Sequence, residues 1–149
     1  GNILGGVEDG NRLASVPETQ FAATAAYYFP VNWAGGGEIY LSGSLQYIGD
    51  RITQPSDQVK GAGNFGHGFT FGGASGDEVT SVDLLLDSYS TLNLRTGFMK
   101  NNWEIALYIN NATDENANLS FDRERGGRAR LAYRTNPPRT TGLLYRQRF

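Results

Sequence analysis

The feature that most constrains the fold is a two-residue alternation that recurs five times, in segments joined by connections that are alternately short and long. In Glu38–Asp50, Ile39, Leu41, Gly43, Leu45 and Tyr47 share one parity, and Glu38, Tyr40, Ser42, Ser44 and Gln46 share the other. A period of two describes a strand with one dry and one wet face. In Thr19–Phe29 the residues Phe21, Ala23, Ala25, Tyr27 and Phe29 fall on one parity. Its alanines also permit a helix; its shortness, its aromatic end and Pro30 favour a strand that stops at the proline. Asp87–Phe98 alternates again, with Tyr89, Thr91, Asn93, Arg95 and Gly97 on the wet side. Trp103–Asn110 sets Trp103, Ile105, Leu107 and Ile109 against Glu104, Ala106, Tyr108 and Asn110. Arg139–Phe149 sets Thr141, Leu143, Tyr145 and Gln147 against Gly142, Leu144, Arg146 and Arg148.

The connections supply the second half of the constraint. Pro30–Gly37, with Trp33 and three consecutive glycines, is short, as is Met99–Asn102, so the Asp87 and Trp103 segments pair as a hairpin. Residues 49–82 and 111–138 are long and polar, although Arg128–Arg134 also reads as the extension of a strand. Structureless loops of that length are uncommon in compact domains. Outer-membrane barrels are the exception, with short periplasmic turns and long external loops. Residues 1–18, ending in Val16-Pro17-Glu18, read as an irregular lead-in.

Composition narrows the function classes. Mean hydropathy is -0.42 and the longest apolar runs, such as Ile105–Ile109, fall short of the roughly 18 residues of a spanning helix. That test does not touch a membrane barrel, whose strands are only half apolar. Without cysteine there are no disulfides or zinc ribbons, and a net charge of -2 provides no general field for nucleic acid. Gly1-Asn-Ile-Leu-Gly-Gly6 has neither a basic n-region nor an h-region and is not expected to be a signal peptide.

Catalysis has little support. His67 lies alone in a glycine-rich segment, no Gly-x-Ser-x-Gly elbow occurs, and Gly61–Gly73 lacks the Gly-Lys-Ser/Thr ending of a phosphate loop. The chain is therefore expected not to be an enzyme and to need neither cofactor nor metal. The carboxylates of Asp114-Glu115 and Asp122-Arg123-Glu124 lack calcium-loop spacing and read as solvated surface. Two features remain as ligand-binding candidates on the long connections. Phe65, Phe69 and Phe71, interleaved with glycine around His67, could stack on a sugar or close over an apolar ligand, or could pack against another loop. Arg123, Arg125 and Arg128 begin a cluster holding six of the thirteen Lys and Arg, ending at Arg139. Such a cluster can hold phosphates, including those of lipopolysaccharide, or pair with Asp122, Glu124 and neighbouring acids.

Taken in order, four motifs resemble the C-terminal part of a TonB-dependent outer-membrane receptor. They are Arg12-Leu-Ala-Ser-Val-Pro-Glu18, Tyr89-Ser-Thr-Leu-Asn-Leu-Arg-Thr-Gly97, Trp103-Glu-Ile-Ala-Leu-Tyr-Ile-Asn-Asn-Ala-Thr-Asp-Glu115, and Asn136-Pro-Pro-Arg-Thr-Thr-Gly142 running to Phe149. Ala112 departs from the usual Leu, and Gln147 on the dry parity places the strand's end at the headgroup level. The resemblance implies an all-β fold of antiparallel up-and-down strands, about five of them, forming the last part of a 22-stranded transmembrane β-barrel in the bacterial outer membrane. Residues 1–149 would supply barrel wall and two external loops, about 49–82 and 111–138. Implied partners are the remaining strands and plug domain, TonB through the plug, outer-membrane lipid or lipopolysaccharide, and the barrel-assembly machinery, which would read Phe149. The implied activity is energised uptake of a scarce nutrient: an iron chelate (siderophore uptake), a cobalamin or a glycan. Arg95, Tyr108, Asn110 and Arg146 would face the lumen or plug, and Trp33 and Trp103 would join a periplasmic aromatic girdle.

Two alternatives stand beside it. One is a soluble β-sandwich module that binds carbohydrate, in which Leu41, Leu45, Ile105, Leu107 and Leu143 pack into one internal core. The other is a receptor-derived fragment that pairs by its strand edges in a structural assembly.

Overall fold

A computed structural model describes residues 7–66, 70–71, 79–123 and 129–149. The fold is all-β. Its strands are β1 (Gln20–Val31), β2 (Gly37–Ile48), β3 (Arg51–Ile52), β4 (Asn64–Gly66), β5 (Thr70–Phe71), β6 (Val79–Ser81), β7 (Leu85–Leu86), β8 (Tyr89–Lys100), β9 (Trp103–Asn110), β10 (Asn118–Arg123), β11 (Ala129–Thr135) and β12 (Thr140–Gln147). They divide between two compact units, described separately below.

The first unit, Gln20–Ile48 with Tyr89–Asn116 and Pro137–Phe149, is a five-stranded antiparallel sheet in the order β1-β2-β8-β9-β12. All five alternating segments of the sequence are strands of this one sheet. Turns join its neighbours at one end. Val31 pairs with Gly37 around a 3-10 turn, where Gly35 and Gly36 have φ of 76° and 84°, a left-handed run that only glycine adopts without a steric cost. Lys100 pairs with Trp103, so the second turn is Asn101-Asn102, with Asn101 at φ 51°. The long connections leave from the opposite end.

Strand boundaries differ from the sequence reading at several ends, as where β8 runs on to Lys100, and β1 shows the physical reason most directly. β1 does not stop at Pro30 but continues to Val31, with Pro30 opposite Glu38. The reason is its position: β1 is a terminal strand, and on the unpaired side of an edge a proline has no ladder hydrogen bond to lose.

The register aligns the parities of all five strands. Ala25, Gly43 and Leu94 stand in one row with Ile109 and Thr141, and Tyr27, Leu41, Thr96, Leu107 and Leu143 in the next. One face is thus predominantly apolar. Aromatic pairs bound it: Phe21 stacks on Tyr47 at 5.5 Å near the long-connection end. At the turn end Phe98 lies 5.1 Å from Trp33 and 5.4 Å from Trp103. Gln147 sits opposite Trp103 in the outermost row, the end of the face where the sequence placed it.

Few side chains of the sheet's strands are buried: Tyr40, Phe98 and Ala106. Tyr40 and Ala106, on the polar face, are buried. Leu41, Leu45, Ile105, Leu107 and Leu143 on the apolar face remain 51%, 38%, 39%, 59% and 65% exposed. These five are the residues that the β-sandwich alternative needs in an internal core, and they do not form one. A contiguous apolar surface of this kind marks a site of contact with another apolar phase or protein.

The second unit comprises Gly1–Thr19, Gly49–Ser88 and Ala117–Asn136. The two long connections are not without structure: their segments carry seven of the strands, and β11 falls where Arg128–Arg134 reads as a strand extension. β3 pairs with β7, β4 with β6, and β10 with β11, which β5 joins in parallel. Ala14 bridges Ile52. Leu84, Leu86 and Ala117 are buried beside Arg51, whose guanidinium donates to the carbonyls of Leu119 (3.2 Å) and Asn118 (3.0 Å). Arg12 joins the pieces: it donates to the Asp50 carboxylate at 2.6 Å and to the Asp50 carbonyl at 2.8 Å, lies 3.2 Å from Glu18, and exchanges backbone hydrogen bonds with the Gln58 amide.

Candidate functional site

The polar face of the five-stranded sheet carries an ion network that spans four strands. Gly97 stands at its centre, opposite Tyr40 on β2 and Ala106 on β9. With no Cβ at Gly97, the Tyr40 ring lies over the backbone, and its hydroxyl donates to Glu104 Oε1 at 2.5 Å. Arg95 uses the same gap. Its Nε donates to the Tyr40 hydroxyl at 2.6 Å and its Nη2 to Glu104 Oε1 at 2.5 Å, while Arg146 Nη1 lies 3.7 Å from Glu104 Oε2. Four strands are thereby joined through one carboxylate whose side chain is 13% exposed. A charge so covered persists where it is paired and hydrogen-bonded, as Glu104 is.

Beside this network lies a concavity of about 560 Å³. Thr24, Ser44 and Asn93 form one row of its lining, Ser42, Arg95 and Tyr108 the next, with Asn110 and Leu144 at the margin. Tyr108 repeats the arrangement of Tyr40: its ring covers Gly142, its partner on β12. Asn93 holds the floor, donating weakly to Ser44 at 3.4 Å and accepting from the Asn111 backbone at 2.9 Å.

Asn111 fixes the end of β9. It is buried, with φ 51°, and its amide donates to the carbonyls of Glu115 (2.8 Å) and Pro137 (3.1 Å) while accepting from Glu115 N–H (2.9 Å). Asp114 accepts from the Arg139 backbone at 3.0 Å and lies 3.6 Å from its guanidinium. The Asn-Ala-Thr-Asp motif therefore fastens the start of β12 to the end of β9.

All four lumen or plug candidates named from the sequence lie on this polar face: Arg95 and Arg146 converge on Glu104, and Tyr108 and Asn110 line the concavity with Arg95. Phe149 follows β12 and is fully exposed. Tyr40 and Glu104 were not singled out; the available signal was that they share the parity of Arg95 and Arg146.

The loop candidates divide. Phe65 on β4 packs 6.4 Å from Phe121, which lies 5.2 Å from Tyr133, so the plainer reading of Phe65, packing against another loop, is the observed one. The Tyr133 hydroxyl donates to the Asp83 carbonyl. Burial, with Asp83 nearby, raises the Tyr133 phenol above its usual range. Phe71 lies on β5 opposite Arg130, and Arg123 ends β10 opposite Leu131. His67, Phe69, Arg125 and Arg128 lie outside the described residues. Of the arginine cluster, Arg134 lies 3.5 Å from Asp122 and Arg139 is held by Asp114, which is the pairing alternative for those two. Among the described residues no three His, Cys, Asp or Glu side chains converge on a metal site.

The chain matches no family model, no curated protein and no solved structure.

Proposed function

We propose that this chain is barrel wall of a TonB-dependent outer-membrane receptor, supplying about five of 22 strands and two external segments to a transporter of a scarce nutrient. The observation that carries the reading is the exposed apolar face, banded by aromatics and backed by a polar face holding its own ion network. In a barrel wall the first face meets lipid and the second the lumen. Support also comes from dimensions, since the apolar parity of β1 runs from Phe21 to Phe29, matching the roughly 9–11 residues with which a tilted strand crosses hydrocarbon. The turn end would be periplasmic and the long-connection end external. The remaining strands and the plug would complete the pore, and TonB acting on the plug would drive transport. The plug and barrel-assembly machinery are partners on the same reading.

The test is depth in a bilayer. After folding of the complete barrel into vesicles carrying brominated acyl chains, Trp103 and Trp33 fluorescence should be quenched most by bromines near the glycerol backbone, and folded and boiled samples of that barrel should migrate differently on gels. A monodisperse monomer in detergent-free buffer with unquenched tryptophans would overturn the reading.

A further inference from the structure

We propose that the concavity on the polar face binds an uncharged, hydroxyl-rich ligand, an oligosaccharide, which on the receptor reading selects the glycan among the possible cargoes. The inference rests on that reading for its biological use but on the lining for its chemistry. Charge comes first. The only ionisable cation in the lining is Arg95, and its guanidinium is committed to Glu104 and to the Tyr40 hydroxyl. An anionic chelate would have to compete with a carboxylate at 2.5 Å, and the lining has no carboxylate to receive a cationic ligand.

What remains is hydroxyl and amide. Among the described residues, the Tyr108 hydroxyl, the Asn110 amide and the Thr24 hydroxyl hold no hydrogen bond, and Ser42 makes only a 3.5 Å contact to the Arg95 carbonyl. Together they present donors and acceptors in alternation across β1, β2 and β9, the mixture that a sugar hydroxyl, itself both donor and acceptor, satisfies. Site geometry agrees. The volume of about 560 Å³ falls within the roughly 300–1,000 Å³ of small-molecule sites, and the Tyr108 ring, held by Gly142, adds an aromatic surface with a polar tip. The Tyr40–Glu104 network fixes the Arg95 side of the site without entering it as a free charge.

The experiment titrates the complete folded receptor that carries this chain, in detergent or vesicles, with maltotriose as neutral probe and trigalacturonate as anionic probe, reading chemical shifts of selectively labelled Asn93, Asn110 and Tyr108. Expected are saturable shifts with maltotriose, at least ten-fold weaker binding of trigalacturonate, and a five-fold or greater loss in Tyr108→Phe, which keeps the ring over Gly142. Thr24→Val, a nearly isosteric change on another strand, should cost at least three-fold and serves if the first variant folds poorly. No saturable shift with maltotriose, equal or tighter binding of trigalacturonate, or unchanged affinity in both variants would overturn the proposal. Heat-modifiable migration of the same samples separates the two readings: folding in lipid without sugar binding removes the site alone, and sugar binding by a chain that needs no lipid removes the barrel alone.

Discussion

The ring of Tyr40 rests on Gly97, its cross-strand partner, so closely that a Cβ at Gly97 would meet ring carbons at 2.5 and 2.6 Å. Gly97→Ala should therefore lift the ring, separate the hydroxyl from Glu104 and release Arg95. Overpacking of this kind costs about 1–3 kcal/mol. Urea unfolding of the folded protein measures it, and Tyr40→Ala in the same background should recover part of the loss, since the obstacle is then gone.

Glu104→Gln leaves Arg95 and Arg146 facing a neutral amide. The expected loss is about 1–3 kcal/mol, below the roughly 3–5 kcal/mol of a fully buried pair because the Arg95 side chain is 34% exposed. A double-mutant cycle with Arg95→Gln should be non-additive, with the pair costing less than the sum of the singles.

Asn111→Ala removes three side-chain hydrogen bonds and places alanine at φ 51°. About 2–4 kcal/mol is expected from unsatisfied buried groups and left-handed backbone together. Asn111→Gly, which relieves the backbone part, should lose less. Limited proteolysis near residues 111–116 reads the difference.

On the apolar face, Leu107 and Leu143 are cross-strand partners, both exposed. Leu107→Arg should cost about 2–4 kcal/mol in a bilayer if this face meets hydrocarbon. The same change on a water-facing surface stays within about 0.5 kcal/mol. Folding titrations into vesicles decide between the two.

The Arg12–Asp50 pair gives a pH signature. The hydrogen bond from Arg12 holds the Asp50 carboxyl below its usual range, with coulombic attraction to Arg12 adding to it against partial desolvation. The folded value lies below the unfolded one, so the pair's contribution is present above the ordinary aspartate range near pH 3.9 and is lost as pH falls through the lowered folded value. Amide exchange at Ser15, which donates to Ile52, should accelerate only in that acid window. Arg12→Gln removes the cause of the lowered value, so exchange at Ser15 should be fast at neutral pH as well and the acid step should disappear.

The sheet was largely legible in the sequence because its signal is local: a strand of eight or twelve residues shows its parity in full. Most of the second unit was not, because β3, β5 and β7 have two residues each and their pairings join positions as distant as Phe71 and Arg130. Two residues carry no period. The ion network was half legible. Parity placed Arg95 and Glu104 on one face, but Arg95 is directly opposite Tyr108, and its reach to Glu104 depends on the opening above Gly97.

The sheet has five antiparallel strands, so β1 and β12 run in the same direction. A closed antiparallel cylinder needs an even count. Copies of this chain rotated about an axis along the strands would bring β12 alongside β1 in parallel, and a two-fold across the strands would send the long connections of alternate copies to opposite sides of a membrane. Closure with one sidedness therefore calls for a different stretch of polypeptide, odd in its number of strands, whose first and last members both run against the two free edges.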